Sequence, residues 1–216
     1  MLRLIAFDLD GTLIDSRRDL ADSANALLAT FDAPPLPEPA VVAMVGEGAR
    51  TLVGRVLAAA AVPTDVDAAL ARFLALYDER LTNHTHLYPG VAETIDALAA
   101  AGVALSVLTN KPLAPTRRLL EHFGLDGAFA GAIGGDGVHG RKPDPAGLQA
   151  LMRETSAAPR DTLMVGDSWV DIETARSAGV RAAFAAYGFG LPPAGGLRDD
   201  EPRLERIDQV LALAVS

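Results

Sequence analysis

The 216-residue sequence contains no cysteine, which excludes disulfide bonds, thiolate catalysis and cysteine-ligated metals. It has no block of basic residues either, and its net charge is −9, from 28 acidic and 19 basic side chains. We therefore expect no nucleic-acid partner and no membrane partner. No apolar run approaches the ~18 residues of a membrane span, and Asp8 interrupts the first run too early for a signal peptide. A cytoplasmic monomer or homodimer is expected.

From residue 89 onward, short apolar runs that predict strands alternate with amphipathic segments that predict helices. The opening apolar run must join the same sheet, because one strand cannot fold alone. This alternation predicts an α/β fold, with a parallel-sheet, Rossmann-like core covered by helices on both faces. The predicted strands are residues 2–7, 103–108, 130–133, 162–165 and 180–184. The stretch 185–202, rich in glycine and proline, is predicted to be a loop that is either mobile or near the site.

Residues 16–88 show helical patterns and no strand pattern. Helices are predicted at residues 15–31, 48–61 and 64–82, with Asp15 or Ser16 capping the first and Thr64 the third. Four prolines between residues 34 and 39 predict an irregular segment there. We therefore predict two domains. The core comprises residues 1–15 and 89–216, and a small all-helical cap of residues 16–88 is inserted into it.

Two carboxylates, Asp8 and Asp10, stand at the end of the first predicted strand, and Gly11 then lets the chain turn away. Side chains two apart on an extended segment point the same way, so the two carboxylates should project together. Such a pair repels itself unless a cation or a proton lies between its members. This stretch is therefore the first candidate for chemistry.

Polar side chains also follow the later strands, and parallel sheets bind ligands at the carboxyl ends of their strands. Thr109 and Asn110 follow one strand, Asp167 and Asp171 follow another, and Lys142 lies in a loop between them. Three carboxylates from two strands can hold Mg²⁺, whereas hydroxyl, amide and ammonium groups suit phosphate oxygens. With no cysteine and only four histidines, a carboxylate is the natural nucleophile. The expected product of its attack is an aspartyl-phosphate, which water then hydrolyses.

These segments resemble the four motifs of the haloacid dehalogenase-like hydrolase superfamily, and they occur in the same order. The motifs are residues 8–12 (DLDGT), 109–110 (TN), 142–143 (KP) and 166–171 (GDSWVD). The helical insertion resembles the small helical cap of that superfamily. Residues 45–50, 88–91 and 108–112 are in addition similar to phosphoglycolate phosphatases.

The resemblance implies a role for each carboxylate of the site. Asp8 would be the nucleophile and a ligand of Mg²⁺. Asp10 would protonate the leaving group, activate the attacking water, and bind the metal through its backbone carbonyl. Asp167 would complete the metal site. Asp171 and Ser168 would support that shell, or Asp171 would hold Lys142.

The resemblance also implies which groups bind the substrate, a small phosphorylated metabolite. Thr109 and Lys142 would hold phosphoryl oxygens, and backbone N–H groups of the turn at Gly11 would assist them. Asn110 would bond to the phosphate or to the rest of the substrate. Arg50, in the predicted cap, would bind a substrate carboxylate through its guanidinium group.

The implied activity is a Mg²⁺-dependent phosphatase of small phosphomonoesters, with phosphoglycolate as the first substrate to test. Asp10 argues against dehalogenation, because a leaving halide needs no proton and the dehalogenases of the superfamily lack this carboxylate. The alternatives are a β-phosphosugar mutase, which shares all four motifs, and a phosphatase of a different small organic phosphate. A binding module without turnover would not require both Asp8 and Asp10.

Overall fold

The computed structural model describes residues 1–214, whose largest sheet has six strands, all parallel. The strands of the described chain are β1 (Leu4–Phe7), β2 (Ile14–Asp15), β3 (His86–Leu87), β4 (Ala104–Leu108), β5 (Gly131–Ile133), β6 (Thr162–Gly166), β7 (Arg181–Ala185) and β8 (Arg203–Leu204). Their order across the large sheet is β5-β4-β1-β6-β7-β8. The first strand of the chain therefore lies inside the sheet, between β4 and β6.

Helices cover both faces of this sheet. The helices of the described chain are α1 (Arg17–Ala29), α2 (Glu38–Val42), α3 (Ala49–Ala59), α4 (Val66–Asp78), α5 (Val91–Ala100), α6 (Leu113–His122), α7 (Ala146–Thr155), α8 (Trp169–Ala178) and α9 (Val210–Ala214). Helix α5 packs on one face of the sheet, and α7 and α8 pack on the other. Side chains alternate along β1, so Ile5 and Phe7 join one buried cluster whereas Leu4 and Ala6 join the other. The predicted α/β class with a parallel, Rossmann-like sheet is confirmed. Within residues 1–214, no helix is both long and apolar enough to cross a membrane.

The register of β1 fixes which strand ends are neighbours. Phe7, the last residue of β1, lies opposite Val107 of β4 and Val165 of β6. Adjacent strands of a sheet are about 4.8 Å apart. The residues that follow these three strands are therefore gathered at one edge of the sheet.

Residues 16–85, all of which the structure describes, contain four helices and no strand. Helix α1 packs against α2 and α4, and α3 packs against α4. The two short strands β2 and β3 pair with each other where the chain leaves β1 and where it returns. Each strand has only two residues, so neither produces a periodic pattern. The prediction of no strand in residues 16–88 was therefore wrong at β3. The division into two domains at these points stays a prediction.

Three local predictions in this region need correction. Pro37 and Pro39 do not prevent α2, because Pro37 immediately precedes the helix and Pro39 lies in its first turn, where a missing N–H leaves no bond unmade. The cap of α4 is Asp65 rather than Thr64, and its carboxylate accepts from the backbone N–H of Ala68. Ser16 does precede α1, but its hydroxyl makes no capping bond.

Candidate active site

The carboxyl ends of β1, β4 and β6 bring three predicted site residues together. Asp8, Thr109 and Asp167 each follow one of these strands, and all three side chains are buried. They line a single pocket, together with Asp10 and Lys111. The two acidic residues of the first motif therefore face the same cavity, as their spacing predicts.

Asp8 has one occupied and one free carboxylate oxygen. Its Oδ1 accepts from the backbone N–H of Leu9 at 2.7 Å and lies 2.8 Å from Nζ of Lys142. No hydrogen bond to Oδ2 is present within residues 1–214. Burial raises the pKa of Asp8 to about 7, even though the charge of Lys142 acts in the opposite direction. The free oxygen is thus oriented by the two bonds that its partner oxygen makes.

Lys142 is buried between two carboxylates. Its Nζ lies 2.5 Å from Oδ1 of Asp171, in addition to its contact with Asp8. Burial lowers the pKa of Lys142, but the charges of Asp171 and Asp8 outweigh burial, and the net pKa is raised. The other oxygen of Asp171 accepts from the backbone N–H and the hydroxyl of Ser168, at 3.0 and 2.5 Å. Of the two roles predicted for Asp171, these contacts favour the holding of Lys142.

Three buried carboxylates lie close enough to share a cation. Oxygens of Asp8, Asp167 and Asp171 all lie within 4.8 Å of one another. Burial raises the pKa of Asp167 well above its ordinary value, and the charges of Asp8 and Asp171 add to the effect. Both oxygens of Asp171 already accept hydrogen bonds from Lys142 and Ser168, so Asp8 and Asp167 are the better metal ligands. Hard oxygen ligands of this kind fit Mg²⁺.

The loop between β7 and β8 closes one side of this acidic group. The backbone N–H groups of Phe189 and Gly190 donate to Oδ2 of Asp167, at 3.0 and 2.7 Å. A Cβ on Gly188 would lie 2.3 Å from the backbone oxygen of Gly11 and 2.4 Å from Cβ of Asp167. Of the two possibilities for the segment 185–202, this part of it lies against the site.

Gly188→Ala is expected to lower the free energy of unfolding by about 1–3 kcal/mol, because the new methyl group overlaps atoms that are held by the sheet and the first motif. Gly195→Ala is the matched control, since Gly195 lies in the same loop and an added Cβ there would meet no atom within 4 Å. It should change stability by less than about 0.5 kcal/mol. Urea unfolding of both variants measures the difference, and equal losses would mean that the loop does not pack against Asp167.

Asp10 has partners that the sequence did not predict. Nζ of Lys111 lies 3.1 Å from each oxygen of Asp10 and 2.5 Å from the hydroxyl of Tyr77 in α4. The hydroxyl of Ser16 donates to Oδ1 of Asp10 at 2.6 Å. Burial lowers the pKa of Lys111, but Asp10 and Tyr77 raise it by more, so this lysine is an ammonium ion. Each carboxylate of the first motif therefore has its own lysine.

The signals for these partners were weak. Lys111 had the clearest of these signals, because it directly follows Thr109 and Asn110 at a strand end and could have been added to the candidate site residues on that ground. Tyr77 occupies an apolar position of its helix, and Ser16 has the appearance of a helix cap. Neither of these two patterns indicates a contact with Asp10.

The remaining predicted residues are Asn110, Gly11 and Arg50. The amide nitrogen of Asn110 donates to the carbonyls of Gly46 and Lys142, and its oxygen accepts from the N–H of Lys142 at 2.8 Å. Asn110 thus ties the Lys142 loop to the helical insertion. Gly11 has a φ of +85°, and a Cβ there would overlap Asp167, so only glycine fits the turn.

Arg50 does not lie at the site. Its side chain is 53% exposed, and its guanidinium pairs with Asp67 at 2.8 Å.

The sequence matches one protein-family model and several named proteins. The family model described as haloacid dehalogenase-like hydrolase matches residues 5–185. A phosphoglycolate phosphatase of Rhodospirillum rubrum is 44% identical over 204 residues, covering 91% of this chain and 85% of that protein. A phosphoglycolate phosphatase of Haemophilus influenzae is 40% identical over 194 residues, covering 87% of each.

Solved structures show the same similarity. The crystal structure of a predicted phosphoglycolate phosphatase from Haemophilus somnus superimposes with a TM-score of 0.92 at 35% sequence identity. The match covers 98% of this chain and 97% of that one. The similarity therefore extends over the helical insertion as well as the sheet.

Proposed function

The chain belongs to the haloacid dehalogenase-like hydrolase family, and on this premise we propose that it is a Mg²⁺-dependent phosphatase that hydrolyses phosphoglycolate through an aspartyl-phosphate at Asp8. The observation that carries the proposal is the pairing in the pocket. Asp8 is bound by Lys142 and Asp10 by Lys111, and both carboxylates face one cavity. The names of the similar proteins support the choice of substrate.

Substrate binding uses the groups at the strand ends. The hydroxyl of Thr109 and the ammonium of Lys142 hold phosphoryl oxygens, and the N–H groups of the turn at Gly11 add to them. The carboxylates of Asp8 and Asp167, with the backbone carbonyl of Asp10, would hold Mg²⁺. When bound, Mg²⁺ offsets the negative charge of the phosphoryl group and of Asp8, which would otherwise repel each other.

In the first step, Oδ2 of Asp8 attacks phosphorus and the bond from phosphorus to the ester oxygen breaks. The electron pair of that bond stays on the leaving alkoxide, which takes a proton from Asp10. Lys142 keeps Oδ1 of Asp8 in place, so the other oxygen approaches the substrate in one orientation. The products are glycolate and the aspartyl-phosphate.

In the second step, Asp10 takes a proton from water, and the water oxygen attacks phosphorus. The bond from phosphorus to Oδ2 of Asp8 breaks, which releases phosphate and restores the carboxylate. Lys111 and Ser16 hold Asp10 by both of its oxygens, so that one group serves both steps from one position.

Removal of divalent metal with EDTA is expected to lower phosphate release by at least about 100-fold, because the charge between Asp8 and the phosphoryl group is then uncompensated. Mg²⁺ should restore the rate, and Na⁺ at equal ionic strength should not. Circular dichroism of the EDTA-treated protein checks that the fold is retained. Full activity in EDTA would contradict the role of the metal.

The substrate is tested by a phosphate-release screen over small phosphomonoesters. The set contains phosphoglycolate, ethyl phosphate and a β-phosphosugar, and the β-phosphosugar reaction is also examined for an isomerised product. A kcat/KM that is highest for phosphoglycolate is the expected result. Isomerisation without release of phosphate would identify a mutase instead.

A further inference from the structure

We propose that Lys111 determines substrate specificity by binding an anionic group on the alcohol portion of the substrate, so that the enzyme selects short phosphate esters that carry a carboxylate. The proposal rests on the proposed function and deepens it. It concerns a residue to which the phosphatase mechanism assigns only the holding of Asp10.

Most charged side chains that line the pocket are acidic. Asp8, Asp10 and Asp167 line it, and Lys111 is the only lysine or arginine in its lining within the described residues 1–214. Lys142 is absent from this lining, and its ammonium is engaged by the carboxylates of Asp8 and Asp171. A substrate anion beyond the phosphoryl group therefore meets one cation, which is Lys111.

Lys111 has two hydrogen-bond partners, Asp10 and Tyr77. An ammonium group has three N–H donors, and both contacts with Asp10 are 3.1 Å, longer than the ~2.7–2.9 Å of a tight charge-assisted bond. One N–H shared between the two carboxylate oxygens accounts for these equal lengths. Tyr77 receives a second N–H at 2.5 Å, and its ring lies 4.4 Å from Nζ. A third N–H is then free for a ligand, on a cation that two partners already hold in place.

Much of the wall that the helical insertion contributes is apolar. Its apolar side chains in the lining are those of Leu20, Leu52, Phe73 and Leu74. None of these can donate a hydrogen bond. In surroundings of low dielectric constant the attraction between an ammonium and a carboxylate is stronger than in water, and it depends on the presence of both charges. An ammonium in an apolar wall therefore discriminates between a phosphate ester that carries a carboxylate and its analogue without one.

The test uses two substrates of equal length, phosphoglycolate and ethyl phosphate, in which a methyl group replaces the carboxylate. Lys111→Met removes the ammonium group and keeps an unbranched side chain as far as the ε position. Both substrates are expected to lose rate, because Asp10 loses a partner. The ratio of kcat/KM for phosphoglycolate to that for ethyl phosphate should nevertheless fall about 30-fold or more, mainly through KM.

Arg50→Ala is the matched control, since it removes a cation of the helical insertion that is exposed and paired with Asp67. It should change the ratio by less than about threefold. Tyr77→Phe is a second variant in case Lys111→Met does not fold. It removes the hydroxyl that holds Nζ, and the ratio should fall by about three- to tenfold. Equal losses for both substrates would overturn the proposal and leave Lys111 acting through Asp10 alone.

A binding measurement separates this inference from the proposed function. In an Asp8→Asn background, calorimetry compares the Kd of phosphoglycolate and ethyl phosphate with and without Lys111→Met. Weaker binding of phosphoglycolate alone supports the inference whether or not the wild-type protein turns it over. An unchanged difference between the two ligands, or no binding of phosphoglycolate, overturns it. Absence of phosphate release by the wild type contradicts the proposed function instead.

Discussion

Asp8→Asn is expected to lower phosphate release from phosphoglycolate by at least about 1,000-fold, because an amide oxygen is a poor nucleophile and forms no aspartyl-phosphate. The free Oδ2 of Asp8 is the atom that this substitution disables, whereas the oxygen that faces Lys142 makes only positioning contacts. The rate is measured under saturating phosphoglycolate and Mg²⁺, with free phosphate as the product.

The loss is expected to be chemical rather than structural. Burial already raises the pKa of Asp8 to about 7, so a neutral side chain of the same shape suits the site. Lys142 keeps its contact with Asp171 at 2.5 Å, so its ammonium is not left unpaired. The midpoint of urea unfolding should therefore stay close to that of the wild type. Turnover within about tenfold of the wild type would exclude Asp8 as the nucleophile.

Five of the six strands could be predicted from sequence because they are short continuous apolar runs, which is how strands covered on both faces appear. The sixth, β8, was missed because its two residues form no such run. Once the strands were assigned, their carboxyl ends gave the position of Asp8, Thr109 and Asp167 without knowledge of strand order. The structure added that order. Because β1 lies between β4 and β6, residues more than 150 positions apart in the sequence become neighbours.

Other parts of the site could not be predicted, because they depend on contacts between segments that have no pattern of their own. The contact of Lys111 with Tyr77 joins a strand end to a helix of the insertion, and Tyr77 occupies an apolar position of that helix. The loop at Gly188 packs through backbone atoms, so composition indicated a loop but not its neighbour. Arg50 shows the opposite case. The resemblance implied that Arg50 binds the substrate, but its guanidinium pairs with the exposed carboxylate of Asp67 instead.

Asp10→Asn is expected to separate the two chemical steps, because Asp10 donates a proton in the first and accepts one in the second. Turnover of phosphoglycolate should fall by about 100- to 10,000-fold, since its leaving alkoxide needs the proton. Acetyl phosphate has a similar size, but its leaving group is acetate, which departs without protonation. The variant should therefore complete the first step with acetyl phosphate and then stop, because no base activates the water.

The stalled species is the aspartyl-phosphate at Asp8, and its accumulation is the decisive measurement. Acetyl phosphate should give Asp10→Asn a single-turnover burst of acetate, and mass spectrometry should find one added phosphoryl group on the peptide that contains Asp8. The double variant with Asp8→Asn is the control, since acetyl phosphate also phosphorylates proteins without a catalyst, and it should show neither burst nor modification. The amide oxygen of the variant can still accept from Lys111 and Ser16, whereas its NH₂ group cannot replace the oxygen that faces Lys111 in the wild type, so circular dichroism must show that the variant is folded. A phosphoenzyme absent from Asp10→Asn would mean that Asp10 is needed for the attack of Asp8 itself, and the division of labour between the two carboxylates would then be wrong.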